Sequence, residues 1–220
     1  MDTQQTLPEG VLLIDKPVGI SSFDVIRTLR KVRTVKKMGH AGTLDPLASG
    51  LMIVAEGKAT KLLTEYQKLP KRYSAEIYLG ESTDTGDREG RVTASAIVTL
   101  SEEAIRESVA NMVGLLELPV PAYSAIKQGG EALYKKARRG EHVETPVKSM
   151  RVYEATLTSV RIQADHTIAA VEFHVESGTY IRSLAVALGE RLEVPARLEN
   201  LRRTSVGPFT IEQASPLPRL

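Results

Sequence analysis

Apolar positions recur along this chain in two rhythms, one of period two and one near 3.6, and clusters of Gly, Pro, Ser and Asp separate them. The run "GVLLIDKP" (10–17) is apolar almost without a break and stops at Pro17, which predicts a buried strand. In "SSFDVIRTLRKVR" (21–33), Val25, Leu29 and Val32 recur at helical spacing behind two serines, so a helix is expected with Ser21 or Ser22 as N-cap. A short strand "LMIVA" (51–55) and a helix over 57–68 follow. In "RYSAEIYLG" (72–80), Tyr73, Ala75, Ile77 and Leu79 alternate with Ser74, Glu76 and Tyr78, the mark of a half-buried strand.

"RVTASAIVTL" (91–100) predicts another strand, and "SEEAIRESVANMVG" (101–114) a helix capped by Ser101 and stopped by Gly114. "LPVPAYSAIKQGG" (118–130) is irregular, and "EALYKKARRG" (131–140) is a short helix, basic on one side. The segments 147–162 and 166–177 look like two long paired strands. A helix over 179–192 places Ile181, Leu184, Ala185, Leu188 and Leu192 on one face, and 201–211 adds a last strand. No repeat, low-complexity tract or linker interrupts this order. The expected fold is therefore α+β, a mixed but mostly antiparallel sheet flanked by helices, as one domain over 10–211 between tails 1–9 and 212–220.

Composition narrows the class without naming it. The chain has 220 residues, 42% of them hydrophobic, enough for a real core. There is no cysteine, which excludes disulfides and Cys-ligated zinc. The N-terminus has no basic segment leading into an apolar one, and no apolar run is long enough to span a bilayer, so a soluble cytoplasmic protein is expected. The 29 Lys and Arg against 27 Asp and Glu give a net charge of only +2. Their distribution says more: Arg27, Arg30, Lys31, Arg33, Lys36 and Lys37 crowd one stretch, which points to a polyanion.

That stretch runs into "GHAGTLDPLASG" (39–50). Asp45-Pro46 reads as helix or turn initiation, yet three glycines and His40 around a carboxylate also suit a loop that approaches a ligand, with Asp45 as nucleophile or base. A carboxylate in such a role needs a partner to stay ionised and aimed, and Arg182 in "GTYIRSL" is a candidate, as against a solvated arginine near a helix start. Tyr73 follows Lys71 and Arg72, a grouping that fits stacking on an unpaired base as well as it fits a core tyrosine. Asp84, Asp87 and Glu89 in "TDTGDREG" (83–90) fail the EF-hand spacing and read as a hydrogen-bonded turn. His142, His166 and His174 lack metal-ligand spacing. No Walker loop, G-x-G-x-x-G or G-x-S-x-G is present.

These residues, taken with "GVLLIDKPVGISSFDVI", "GHAGTLDPLASGLMIVAEGKATK", "KRYSAEIYLGESTDTGDREG", "PAYSAIKQGGEALYKKARRG", "SGTYIRSLAVALGERL" and "LRRTSVGPF" in that order, closely resemble the bacterial tRNA pseudouridine-55 synthases, the TruB family. The resemblance covers nearly all of 10–211 and implies the pseudouridine synthase fold. It implies that Asp45 is the catalytic aspartate, that His40 lies beside a flipped uridine, that Tyr73 stacks on that base, that Tyr180 and Leu201 line its pocket, and that Arg182 pairs with Asp45. Lys16 matches a lysine near the active site. Ala41, Ser177 and Ala187 depart from residues frequent in the family. Members usually continue into a small RNA-binding PUA domain, and here only "EQASPLPRL" (212–220) follows.

What the resemblance implies chemically is an isomerisation on a base taken out of its stack, at a cost of a few kcal/mol that RNA binding offsets. It involves no redox or phosphoryl-transfer step, so neither metal nor organic cofactor is expected. The partner implied is the T stem-loop of tRNA, bound by a monomer with no obligatory protein partner. Phosphate contacts are expected from Arg30, Lys31, Lys36, Lys37, Lys135, Lys136, Arg138, Arg139, Arg202 and Arg203.

Overall fold

The computed structural model describes residues 7–124, 126–139, 141, 143–163 and 166–218. In chain order the elements are β1 (Val11–Lys16), α1 (Ser22–Val32), β2 (Met38–His40), β3 (Ser49–Glu56), α2 (Leu63–Lys68), β4 (Lys71–Leu79), β5 (Glu81–Thr83), β6 (Val92–Ser95), α3 (Glu102–Ala110), β7 (Gly114–Pro119), β8 (Lys127–Gln128), β9 (Glu131–Ala132), α4 (Leu133–Arg138), β10 (Val147–Ile162), β11 (Thr167–Val175), α5 (Ile181–Arg191), β12 (Ala196–Val206), β13 (Phe209–Thr210) and β14 (Ser215–Pro216). The fold is α+β, with a large mixed sheet and few helices. It groups into two compact units, Met1–Ser74 with Leu201–Leu220, and Ala75–Asn200. The boundaries fall inside β4 and β12 and not in a linker.

In the first unit the strand order is β14-β1-β3-β12, with β2 on β3 and β13 on β12. β1 and β3 are antiparallel from Val11↔Ala55 to Lys16↔Gly50, and β3 meets β12 in parallel at Arg202↔Ser49 and Arg203↔Gly50. Gly50 has φ +107°, and a Cβ there would collide with the Arg203 backbone, so only glycine lets these strands close up. One sheet face buries Ile14, Met52 and Val54 against Val25, Ile26 and Leu29 of α1; the other buries Val11, Leu13, Leu51 and Ile53 with Val206 and Phe209.

Ser21 caps α1: its hydroxyl accepts from the Asp24 N–H while the Asp24 carboxylate accepts from the Ser21 N–H. Of the expected apolar stripe, Val25 and Leu29 are buried and Ile26 joins them, whereas Val32, at the last turn, is 50% exposed. The stretch expected as a tail after 211 is partly folded. Ile211–Gln213 form a 3-10 turn, and β14 pairs in parallel with β1 at Ile14↔Ser215, supplying partners to an otherwise open edge.

In the second unit the order is β4-β11-β10-β7, with β10 antiparallel to both β11 and β7. Ala75, Ile77 and Leu79 of β4 point inward here, as does Tyr73 in the first unit, as the alternation predicts. α3 ends at Ala110, earlier than expected, and Gly114 (φ +124°) opens β7. β7 escaped the sequence pattern because it is an edge strand that turns Leu115 to solvent, so its apolar residues do not alternate. Of 91–100, only Val92–Ser95 is strand, paired with β5. Within 118–130, β8 turns into β9 through Gly129 and Gly130, both with positive φ, the geometry of a tight hairpin.

Candidate active site

Asp45 lies on the loop between β2 and β3 in the first unit, partly exposed. No helix starts at Asp45-Pro46. The Ala48 N–H donates to the Asp45 carbonyl at 3.1 Å, closing a turn whose second position is Pro46. Buried side chains hold the loop on both sides of the aspartate. The Ser22 hydroxyl accepts from the Leu44 N–H (2.8 Å) and donates to the Leu44 carbonyl (3.0 Å). The Lys16 ammonium, fully buried, donates to the carbonyls of Ala48 (2.6 Å) and Pro17 (2.8 Å). The Arg203 guanidinium donates from Nε to Leu51 (2.7 Å) and from Nη2 to Gly42 (3.2 Å). The Gly19 N–H donates to the Pro46 carbonyl (2.8 Å). Leu44 and Pro46, the neighbours of Asp45, are therefore both fixed, and its carboxylate stands on a backbone with little freedom to move.

Ser22 went unnoticed in the sequence because both serines of "SSF" were candidates for one cap. Ser21 takes that role, which frees Ser22 for Leu44; the surplus serine was the available signal. Arg203 corrects an expectation outright. It is 1% exposed and bound to backbone carbonyls, so it is withdrawn from phosphate, whereas its neighbour Arg202 reaches Asp15 at 2.7 and 3.1 Å. Strand alternation puts adjacent arginines on opposite faces.

The same alternation separates Lys71 from Arg72. Lys71 turns inward beside Tyr73 and donates to the carbonyls of Gln67 (2.5 Å) and Leu69 (2.6 Å), just past the end of α2, while Arg72 is exposed. Burial, with the nearby charge of Arg203, lowers the Lys71 ammonium to about 8. Tyr73 and Leu201 are buried in the first unit. His40 ends β2, and burial, reinforced by the Arg203 charge and opposed by a hydrogen bond with the Gly42 backbone, pushes its pKa below the usual value. The ring is therefore neutral at pH 7. Its Nδ1 is buried with no hydrogen-bond partner among the described residues.

In the second unit, Arg182 sits in the first turn of α5, buried. Its guanidinium donates to the carbonyls of Thr85 (3.0 Å) and Tyr123 (2.9 Å) and lies 3.5 Å from the Asp87 carboxylate. Asp87 is itself buried and accepts from the Thr85 hydroxyl (2.7 Å) and the Glu89 N–H (3.0 Å). "TDTGDREG" is thus a self-bonded turn, as expected, and it has a use the sequence did not reveal: it seats Arg182. Tyr180 precedes α5, half-buried, with the Lys148 ammonium 5.9 Å from its ring centroid.

Among the expected phosphate contacts, Arg30, Lys31, Lys36, Lys37 and Lys135 are exposed and Lys136 is half-buried. Arg139 is bound to Glu131 and Glu141, and the Arg138 side chain lies outside the described residues, as does His142. His166 stacks on Tyr78 and His174 faces Glu154, both structural uses. Among the described residues no group of His, Asp and Glu is arranged to hold a metal ion, and no helix is long and apolar enough to cross a membrane.

The chain is similar to one in the crystal structure of a Cbf5-Nop10-Gar1 complex (TM-score 0.69, 30% identity, 94% of this chain and 52% of that one) and to one in an H/ACA RNP bound to a substrate RNA containing 2′-deoxyuridine (0.69, 27%, 94% and 51%). The chain spans about half the length of these two. They place it among proteins of the pseudouridine synthase fold. Residues 30–181 match the family described as TruB family pseudouridylate synthase (N terminal domain). tRNA pseudouridine synthase B of Bacillus licheniformis is 41% identical over 207 residues (93% of this chain, 67% of that one). The protein of that name from Xanthomonas campestris pv. campestris is 43% identical over 215 residues (96% and 68%). The chain belongs to the TruB family.

Proposed function

We propose that this chain isomerises uridine to pseudouridine in tRNA, at position 55 of the T-loop, with Asp45 as the nucleophile acting on a flipped-out base. The observation that carries the reading is the Asp45 turn, pinned on both sides by buried donors from separate elements, in a chain more than 40% identical to tRNA pseudouridine synthase B over most of its length. A nucleophile must be held near its attack position, and a loop with fixed neighbours does so before substrate arrives.

The reaction breaks the N1–C1′ bond of uridine, turns the uracil and forms C5–C1′. The C5 proton leaves and N1 gains one, so atoms balance with no oxidant. Asp45 promotes cleavage by attack at C1′ or by addition to C6; both routes use the same carboxylate. Arg182, seated by Thr85, Tyr123 and Asp87, is its partner and keeps it ionised. Tyr73 stacks on the base and is the candidate to take the C5 proton; His40, neutral, fills the site beside the extruded nucleotide; Tyr180 and Leu201 complete the pocket. Lys16 acts through the loop. The enzyme works as a single chain in the cytoplasm, and Arg30, Lys31, Lys36, Lys37, Lys135, Lys136 and Arg202 supply phosphate contacts.

The test is tritium release from a tRNA transcript carrying 5-tritiated uridine, with the modified site mapped. Release from the T-loop uridine at position 55 by the wild type supports the reading. No release, with tRNA still bound, leaves an RNA-binding module in its place.

A further inference from the structure

We infer that the exposed face of α1 is a track for the RNA strand flanking the target uridine, with Phe23 as a stacking platform for one base and Arg27 and Lys31 as phosphate contacts. The inference rests on the proposed function and extends it to a surface outside the pocket. Phe23, Arg27, Arg30 and Lys31 fall on one helical stripe, opposite the buried Val25, Ile26 and Leu29. Phe23 is 56% exposed, although an aromatic ring gains more by burial than almost any other side chain. The Arg27 guanidinium lies 5.6 Å from its ring centroid, so the platform already carries a cation beside it.

Position ties this face to the site. Ser22, next to Phe23 in the chain, holds Leu44, next to Asp45. The first exposed residue of the helix is thus joined, through one side-chain contact, to the catalytic loop. From there the cations recede along the helix, Lys31 about 12 Å from Phe23, and Lys36 and Lys37 continue beyond its end, both exposed. Asp24 is the one acid of the helix, and it is engaged with Ser21 and with Arg27 at 3.1 Å. An aromatic ring with cations trailing to one side suits a strand whose bases are unpaired near the reacting nucleotide and whose phosphates lead away.

The experiment compares wild type, Phe23→Ala, Phe23→Tyr and the double variant R27A/K31A, all at exposed positions, by filter binding of unmodified tRNA over a salt series and by steady-state turnover. Phe23→Ala is expected to weaken binding at least fivefold and raise KM alike, with kcat within twofold and the salt slope unchanged; Phe23→Tyr restores the affinity. R27A/K31A is expected to make the slope of log affinity against log salt shallower by about 1.5. Parent-like affinity in Phe23→Ala, or a parent-like slope in R27A/K31A, overturns the inference. A wild type that binds tRNA without turnover defeats the proposed function instead, and the binding series still decides the α1 face.

Discussion

Two loops underlie the proposed active site, one carrying Asp45 and the other seating Arg182, and they are built in opposite ways. The Asp45 loop, 41–48, makes one turn of its own and is otherwise held from elsewhere, by the side chains of Ser22 from α1, Lys16 from β1 and Arg203 from β12 and by backbone bonds with Gly19 and Ile53. The 83–90 loop is bonded chiefly within itself, with Thr83 and Thr85 donating to the Asp87 carbonyl and the Asp87 carboxylate accepting from Thr85 and Glu89, and it is tied to β12 at one point, where the Arg88 N–H donates to the Leu198 carbonyl and the Leu198 N–H to the Gly86 carbonyl. It then lends its groups to Arg182. The first loop is a guest of the core and the second is a host. A guest loop offers an exposed reactive group on a backbone set by distant contacts, so its geometry is as firm as the fold. A host loop takes most of its shape from its own side chains, and loses its function when those internal bonds go.

The largest expected effect is chemical. Asp45→Asn removes the proposed nucleophile while keeping shape, and turnover in the tritium assay is expected to fall below detection with tRNA affinity within a few-fold of wild type. Next comes the guest loop's deepest support. Arg203→Leu leaves the carbonyls of Leu51 and Gly42 short of a donor in a buried setting, and urea denaturation should show a loss of about 3 kcal/mol, accompanied by lower kcat.

For the host loop, Asp87→Ala strips the turn of its acceptor and Arg182 of a neighbouring charge, at a cost of about 2 kcal/mol in the same measurement and a drop in kcat. Ser22→Ala removes two bonds to Leu44 at about 1–2 kcal/mol, and because Leu44 adjoins Asp45, kcat should fall about tenfold while KM holds. If Ser22→Ala instead raised KM at constant kcat, the guest description of the Asp45 loop would be wrong.

The smallest effect is a pH dependence. Lys71 has a folded pKa of about 8 against an ordinary value of 10.5. Between those values the unfolded chain binds more protons than the folded one, so stability rises as pH climbs from 8 towards 10.5. Below 8 both states are protonated and the cost of burying the charge is borne in full. Chemical denaturation across that window should show a gain of about 1–2 kcal/mol, absent in Lys71→Met.

Much of this was readable beforehand where one rule governs one residue. The inward set of β4, the long β10–β11 pair and the buried Ile181, Leu184, Ala185 and Leu188 of α5 follow from periodicity, and the capping serine of α3 from residue type; that Arg182, Ser183, Ala187 and Gly189 are buried as well, leaving α5 covered nearly all round, does not. β7 did not, because an edge strand need not alternate, nor did the early end of α3, since Gly114 serves the next strand. At the site, the TruB resemblance singled out Asp45 and Arg182, and the self-bonded nature of "TDTGDREG" was plain from its Thr, Asp and Gly content. The duties of Ser22, Asp87 and Lys71 were not, and Arg203 was assigned to the wrong environment.

The sequence by itself determined most of the long strands and helices, their inward-facing apolar residues, and the family whose motifs this chain carries, because those depend on local spacing and residue type. Only the tertiary structure decided what the buried polar side chains do. The partners of Ser22, Lys16 and Arg203 lie 22, 32 and 161 residues away, and a hydrogen bond is made by atoms within about 3 Å, a condition that no spacing along the chain can express.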